Sequence, residues 1–198
     1  MSATGRLWIA VAALLALAAA LQLAGAGPAL RYSREAVAGG QVWRLVTASL
    51  VHLGPAHLAL NAAGTVLIAA LVGAHLRPPG WAGAWLACAL AVGAGLWWGQ
   101  PQIGWYVGLS GVLHGLVVTG AIAALHERRE RLFATVVLAA IAGKLAWEQW
   151  SGAMPGTARL AGGPIVTEAH LYGALGGVFA GTVAFVGHHL AAPSTAER

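Results

Sequence analysis

Six stretches of this chain are each long and apolar enough to cross a lipid bilayer as a helix. They lie at about residues 7–25, 51–74, 80–98, 108–126, 132–151 and 168–190, and a spanning helix needs about 20 apolar residues. With 59% apolar and 9% charged residues, the chain is far more hydrophobic than a soluble globular protein. We therefore predict one all-α membrane domain over residues 1–198, a bundle of six transmembrane helices with short connections.

The basic residues are scattered, mostly at the ends of these stretches, which disfavours a nucleic-acid-binding protein despite the net charge of +5. One side of the predicted bundle carries Arg6, Arg77, Arg128, Arg129, Arg131 and Arg198, and the other carries Arg31, Arg34, Arg44 and Arg159. Because cytoplasmic loops are enriched in Lys and Arg, both termini are predicted to be cytoplasmic. The first stretch also resembles a secretory signal, with Ala24-Gly25-Ala26 behind it, but its length favours a retained helix.

Ser110 and His170 each lie near the start of a different apolar stretch. Polar and ionisable side chains at such positions usually mark function when they face the interior of a bundle. A serine becomes a nucleophile when a base removes its proton, so the pair is predicted to be a nucleophile and its general base. The chain has no aspartate, which excludes a Ser/His/Asp triad. The chemistry must therefore use a Ser/His dyad or recruit a glutamate.

Small residues indicate that the two helices can approach closely. Gly111 and Gly115 follow Ser110 at a spacing of four residues, and Gly173 and Gly177 follow His170 with the same spacing. Glycines at this spacing allow transmembrane helices to pack with their backbones in contact. We therefore expect the fourth and sixth helices to be neighbours.

Acyl transfer also needs hydrogen-bond donors for the oxyanion of the tetrahedral intermediate. His57 and Asn61 are four residues apart and share one helix face, and both can donate. The backbone N–H of Ser110 at a helix start is a further candidate. The alternative is that Asn61 binds a neighbouring helix and His57 caps its own helix.

These motifs together resemble the rhomboid intramembrane serine proteases. The resemblance rests on Trp43-Arg44, His52, His57, Asn61, Gly108-Leu109-Ser110-Gly111, and Ala169-His170 followed by Gly173 and Gly177. It implies a six-helix fold with Ser110 as nucleophile, His170 as general base, and His57 and Asn61 in the oxyanion site. It also implies a multi-pass protein of the bacterial inner membrane with its active site facing the periplasm, and no cofactor.

At two places the sequence differs from ordinary rhomboids and resembles the rhombosortase subfamily. His114 stands one turn after Ser110, where many bacterial rhomboids have a tyrosine, and the fifth stretch contains Lys144-Leu-Ala-Trp-Glu148. The resemblance implies cleavage of C-terminal Gly-Gly-type sorting tails on membrane-tethered exported proteins. The alternatives are a general rhomboid protease with other transmembrane substrates, and a non-catalytic rhomboid-like binding protein.

The roles of His114 and Glu148 stay open at this level. Glu148 either pairs with Lys144 one turn away, which lowers the cost of burying both charges, or contacts the substrate near the scissile bond. His114 either positions His170 by packing or is a core histidine. A metal site is not expected, because Cys88 is the only cysteine and no HExxH motif occurs.

Overall fold

The computed structural model describes residues 1–191 and the side chains of residues 1–187. The final seven residues of the predicted domain, including Arg198 of the charge count, lie outside the described residues. The helices are α1 (Ala3–Leu23), α2 (Gly27–Leu30), α3 (Arg34–Ala38), α4 (Arg44–Thr47), α5 (Pro55–Val72), α6 (Pro78–Gly99), α7 (Ser110–Ala124), α8 (Arg131–Ser151), α9 (Thr157–Ala161) and α10 (Thr167–Ala191). Short 3₁₀ turns cover Ala48–Leu50 and Gly73–His75, and the strands β1 (Tyr32–Ser33) and β2 (Trp105–Tyr106) pair antiparallel.

The predicted all-α membrane architecture is confirmed. Within the described part of the chain, five helices are long and apolar enough to cross a membrane: α1, α5 with its 3₁₀ extension, α6, α8 and α10. The fourth predicted span is shorter than expected, because α7 has only 15 residues. At a rise of about 1.5 Å per residue it extends about 22 Å, less than the hydrocarbon core of a bilayer. At least one end of α7 therefore lies below the membrane surface.

The backbone conformation before α7 explains why this helix is shorter than predicted. Gly108 has a φ of +125°, a backbone conformation that a helix does not allow, so the helix begins at Ser110 and not at residue 108. Most residues of α7 are buried, which places it at the centre of the bundle. In contrast, α1 buries only Leu7 and Ala18 and presents the rest of its apolar surface outward.

Helices α7 and α10 pack with their backbones in contact, as the glycine spacing predicts. A Cβ atom on Gly173 would collide with the carbonyl oxygen of Gly111, and one on Gly177 with that of Gly115. Thr119 adds a hydrogen bond across the contact, since its hydroxyl donates to the Gly177 carbonyl at 3.1 Å. The close approach fixes the depth of α10 relative to α7.

Two arginines hold the segment between α1 and α5 in place. The Arg34 guanidinium donates to the carbonyl groups of Leu96, Trp97 and Gln100, which lie at the end of α6. The buried Arg44 guanidinium donates to the carbonyl groups of Pro28 and Arg31, both at 2.9 Å. These bonds anchor the segment that carries β1. Because β1 pairs with β2, they also position the chain that leads into Ser110.

Candidate active site

The loop before α7 is held by hydrogen bonds at Gly108. Its N–H donates to the Ala48 carbonyl at 3.0 Å, and its carbonyl accepts from the Tyr106 hydroxyl at 2.8 Å. Burial raises the pKa of Tyr106 to about 12, so the phenol keeps its proton and remains a donor. The positive φ at Gly108 and these two bonds direct the chain so that Ser110 begins the helix.

Ser110 and His170 lie within hydrogen-bond distance. The Ser110 Oγ and the His170 Nε2 are 3.0 Å apart, and His170 is 5% exposed. His170 stands in the first turn of α10, at the end of the close contact with α7. A nucleophile and a base at this separation have the geometry for transfer of the hydroxyl proton to the imidazole.

The other ring nitrogen of His170 contacts a carboxylate. His170 Nδ1 lies 2.8 Å from Glu148 Oε2, and the second oxygen of that carboxylate, Oε1, lies 2.6 Å from Lys144 Nζ. The Lys144–Glu148 pair, one of the two alternatives that the sequence left open, is therefore present. Its carboxylate is only 3% exposed, whereas the Lys144 side chain is 32% exposed.

His114 packs flat against His170. The two ring centroids are 4.2 Å apart and the planes differ by 17°. The His114 Nδ1 lies 2.7 Å from the Ser110 carbonyl oxygen. A carbonyl oxygen only accepts, so this nitrogen carries the proton and donates. His114 thus contacts both the ring of the base and the backbone of the serine.

His57 and Asn61 lie side by side on α5 and face the loop around Gly108. The Leu53 N–H donates to His57 Nδ1 at 3.4 Å, which leaves the proton of the neutral ring on Nε2. A Cβ on Gly108 would lie 3.0 Å from that Nε2 and 3.8 Å from Asn61 Nδ2. Among the described residues, Asn61 Nδ2 is a buried donor with no hydrogen-bond partner. Two donors are therefore present beside the loop that leads to Ser110.

His52 lies behind His57 rather than at the serine. The two rings meet edge to face with centroids 5.3 Å apart. Within the part of the chain that the structure describes, neither ring nitrogen of His52 has a hydrogen-bond partner, and the side chain is buried. His52 therefore contacts the site through the ring of His57.

A cavity of about 440 Å³ is lined by Ser110 and His57. The rest of its lining comes mainly from residues 102–107, 152–153 and 164–168. Glu168 lines this cavity, whereas Glu148 does not. Ser110 is thus open to this cavity.

Comparison with known families identifies one domain in the chain. The rhomboid domain model matches residues 39–187. The chain belongs to the rhomboid family. Neither a curated protein nor a solved structure matches it.

In this rhomboid, the sequence motifs converge on one site. Four of the predicted site residues lie around Ser110: His170, His57, Asn61 and His114. The helix contact beneath it is formed by Gly111, Gly173 and Gly177. Sequence reasoning did not identify Tyr106 as the residue that orients Gly108, nor the contact between Glu148 and His170. For Glu148 a signal was available, since it is in the last turn of α8 and His170 is in the first turn of α10.

One group of side chains in this rhomboid also has the composition of a metal site. Ligand atoms of His114, Glu148 and His170 lie within 4.8 Å of one another. The Lys144 ammonium already pairs with that carboxylate, and a second cation there would be repelled. His170 in turn faces the Ser110 hydroxyl. The absence of a metal requirement stays a prediction, which activity after treatment with a chelator tests.

Proposed function

We propose that this rhomboid is an intramembrane serine endopeptidase that uses Ser110 and His170. The Ser110 oxygen attacks the carbonyl carbon of the scissile peptide bond while its proton moves to His170 Nε2. His170 then protonates the leaving amine, and the C–N bond breaks to leave an acyl-enzyme on Ser110. Water, deprotonated by His170, hydrolyses the ester and frees the serine.

The single observation that carries this proposal is the 3.0 Å contact between Ser110 Oγ and His170 Nε2. A non-catalytic binding protein needs neither a serine nor a base at this distance. The donors on His57 and Asn61 support the same reaction, because the tetrahedral intermediate places a negative charge near Ser110. The cavity above the serine supplies room for an extended peptide.

A fluorophosphonate probe tests the proposal directly, because it phosphonylates an activated serine. Detergent-solubilised wild type should be labelled, and Ser110→Ala and His170→Ala should lose labelling. Ser151→Ala is the matched control, because Ser151 is exposed at the end of α8 and should leave labelling unchanged. Equal labelling of wild type and Ser110→Ala would show that Ser110 is not an activated nucleophile.

We further propose that the substrates are membrane-anchored exported proteins with a Gly-Gly-type C-terminal sorting tail. The support is the subfamily resemblance at His114 and at the Lys144–Glu148 pair, all of which surround the proposed base. Two reporters test the specificity: one with a Gly-Gly tail followed by a hydrophobic helix and a basic end, and one with an unrelated transmembrane segment. Selective cleavage of the first is expected. Cleavage of the second alone would favour a general rhomboid protease.

We propose that the protein lies in a bacterial inner membrane with both termini in the cytoplasm and Ser110 near the periplasmic face. The distribution of arginines between the loops supports this orientation. Single cysteines at Ala38 and Arg129 test it, because both positions are exposed and the native Cys88 is buried. An impermeant maleimide should reach Ala38→Cys in cells with a permeabilised outer membrane, and Arg129→Cys only after lysis. The reverse pattern would contradict the proposed orientation.

A further inference from the structure

Glu148 lies on the side of His170 that faces away from the serine. The two ring nitrogens of His170 contact different residues, with Ser110 at Nε2 and Glu148 at Nδ1. We infer that Glu148 is a positioning residue that completes a Ser110–His170–Glu148 triad, with Lys144 as its counterion. This inference rests on the proposed serine chemistry and extends it beyond a dyad.

The first argument concerns the tautomer of His170. An ionised carboxylate only accepts hydrogen bonds, so the nitrogen that contacts Glu148 carries the ring proton. His170 Nε2 is then unprotonated and presents its lone pair to the Ser110 hydroxyl at 3.0 Å. This is the tautomer that a general base requires. Among the described residues, Glu148 is the hydrogen-bond partner of Nδ1 that selects this tautomer.

The second argument concerns charge during the reaction. When His170 takes the serine proton it becomes an imidazolium, and a carboxylate 2.8 Å from Nδ1 stabilises that cation. The site is buried, so water screens the attraction only weakly. The stabilisation is greater after proton transfer than before it, which is the condition for an effect on rate.

Burial separates this role from the alternative of substrate contact. Both carboxylate oxygens of Glu148 already have partners, one in Lys144 and one in His170, and the side chain is 3% exposed. It does not line the cavity above Ser110. Glu148 therefore acts on the substrate only through His170, and Lys144 compensates the charge that the carboxylate brings into the bundle.

The test measures the rate of fluorophosphonate labelling as a function of pH. The charged or titratable groups around His170 are Glu148 and Lys144 on α8, His114 on α7 and His57 on α5. Glu148→Gln keeps the size of the side chain and removes its charge. We expect labelling to slow by about 10² to 10⁴-fold, by analogy with loss of the acid from a catalytic triad. The acid limb of the profile should move to lower pH, because the imidazolium loses its carboxylate.

Two further variants make the test decisive. Glu148→Asp keeps the charge but shortens the side chain, so it should label faster than Glu148→Gln if charge matters, and more slowly if only side-chain size matters. Glu35→Gln removes an exposed glutamate and should label within about twofold of wild type. Thermal unfolding of each purified variant shows that the fold is retained. If Glu148→Gln does not fold, the labelling rate and the pH profile of Glu148→Asp test the inference instead.

The possible failures are distinct. If wild type is not labelled at Ser110, both the proposed function and the inferred triad are contradicted. If labelling depends on Ser110 and His170 but Glu148→Gln reacts at the wild-type rate with an unmoved profile, the enzyme is a dyad and only the inference is overturned. A slower Glu148→Gln with an unmoved profile, and with Glu148→Asp slower still, would assign Glu148 to packing and also overturn it.

Discussion

Gly173 of α10 lies so close to the Gly111 carbonyl oxygen of α7 that neither helix has room for a side chain between them. Ser110 precedes Gly111 by one residue and His170 precedes Gly173 by three, so this contact sets the distance between the proposed nucleophile and the proposed base. The glycine contact beneath the site is therefore part of the geometry of this pair.

Gly173→Ala should separate the two residues. Its new methyl group would meet a backbone oxygen, which cannot rotate away, so we expect a loss of about 1–3 kcal/mol in stability and loss of probe labelling. Gly187→Ala is the matched control on the same helix, because nothing lies within 4 Å of the Cβ position. Labelling and thermal unfolding of the two variants are compared in one detergent. Normal labelling of a folded Gly173→Ala would show that the helix spacing does not control the site.

Asn61→Ala should slow acyl transfer without unfolding the protein. Asn61 Nδ2 is a buried donor without a partner among the described residues, so its removal leaves no acceptor newly unsatisfied. Loss of one oxyanion donor costs about 10² to 10³-fold in kcat in serine proteases. Cleavage of a reporter measures the effect, and Leu67→Ala, at an exposed position of α5, is the control. An unchanged kcat in Asn61→Ala would remove Asn61 from the oxyanion site.

The positions of most membrane helices along the chain follow closely from the sequence because bilayer thickness sets the length of apolar helices. The stretches at 80–98 and 132–151 predict α6 and α8 to within a few residues. The prediction is less accurate at α7, where the apolar run continues through Gly108 and Leu109 but the helix does not. Hydropathy does not record the positive φ of Gly108, which depends on bonds to Ala48 and Tyr106.

The arrangement of the candidate site was likewise predicted from the sequence only in part. Motif spacing within one helix predicted that His57 and Asn61 share a face, and the paired glycines predicted that α7 and α10 are neighbours. The ends of the two apolar stretches indicate that Glu148 and His170 lie on the same side of the bundle. Their contact also depends on how deeply α8 sits relative to α10, which no spacing along the chain records. The sequence therefore left the role of Glu148 between a salt bridge and a substrate contact.

His114→Phe should retain the packing of His170 but lose one hydrogen bond. A phenyl ring keeps the stacked contact at 4.2 Å, and it removes the donor to the Ser110 carbonyl. One such bond contributes about 1 kcal/mol, so we expect labelling to slow about fivefold. His114→Ala loses the stack as well and should be slower. His75→Phe at the far end of α5 is the control. Equal rates for His114→Phe and His114→Ala would contradict a role for stacking.

Lys144 and Glu148 should be strongly coupled in their effect on stability. Lys144→Met leaves the Glu148 carboxylate buried without its cation, and we expect a cost on the order of 2 kcal/mol. The Lys144→Met/Glu148→Gln double variant has no uncompensated charge and should unfold at a higher temperature than Lys144→Met alone. Arg159→Met removes an exposed cation and serves as the control. Thermal unfolding of wild type, Lys144→Met, Glu148→Gln and the double variant in detergent gives the coupling energy. If the effects of the two single substitutions simply add, Lys144 is not the counterion of Glu148. The charge of the Glu148 carboxylate is then balanced by another group.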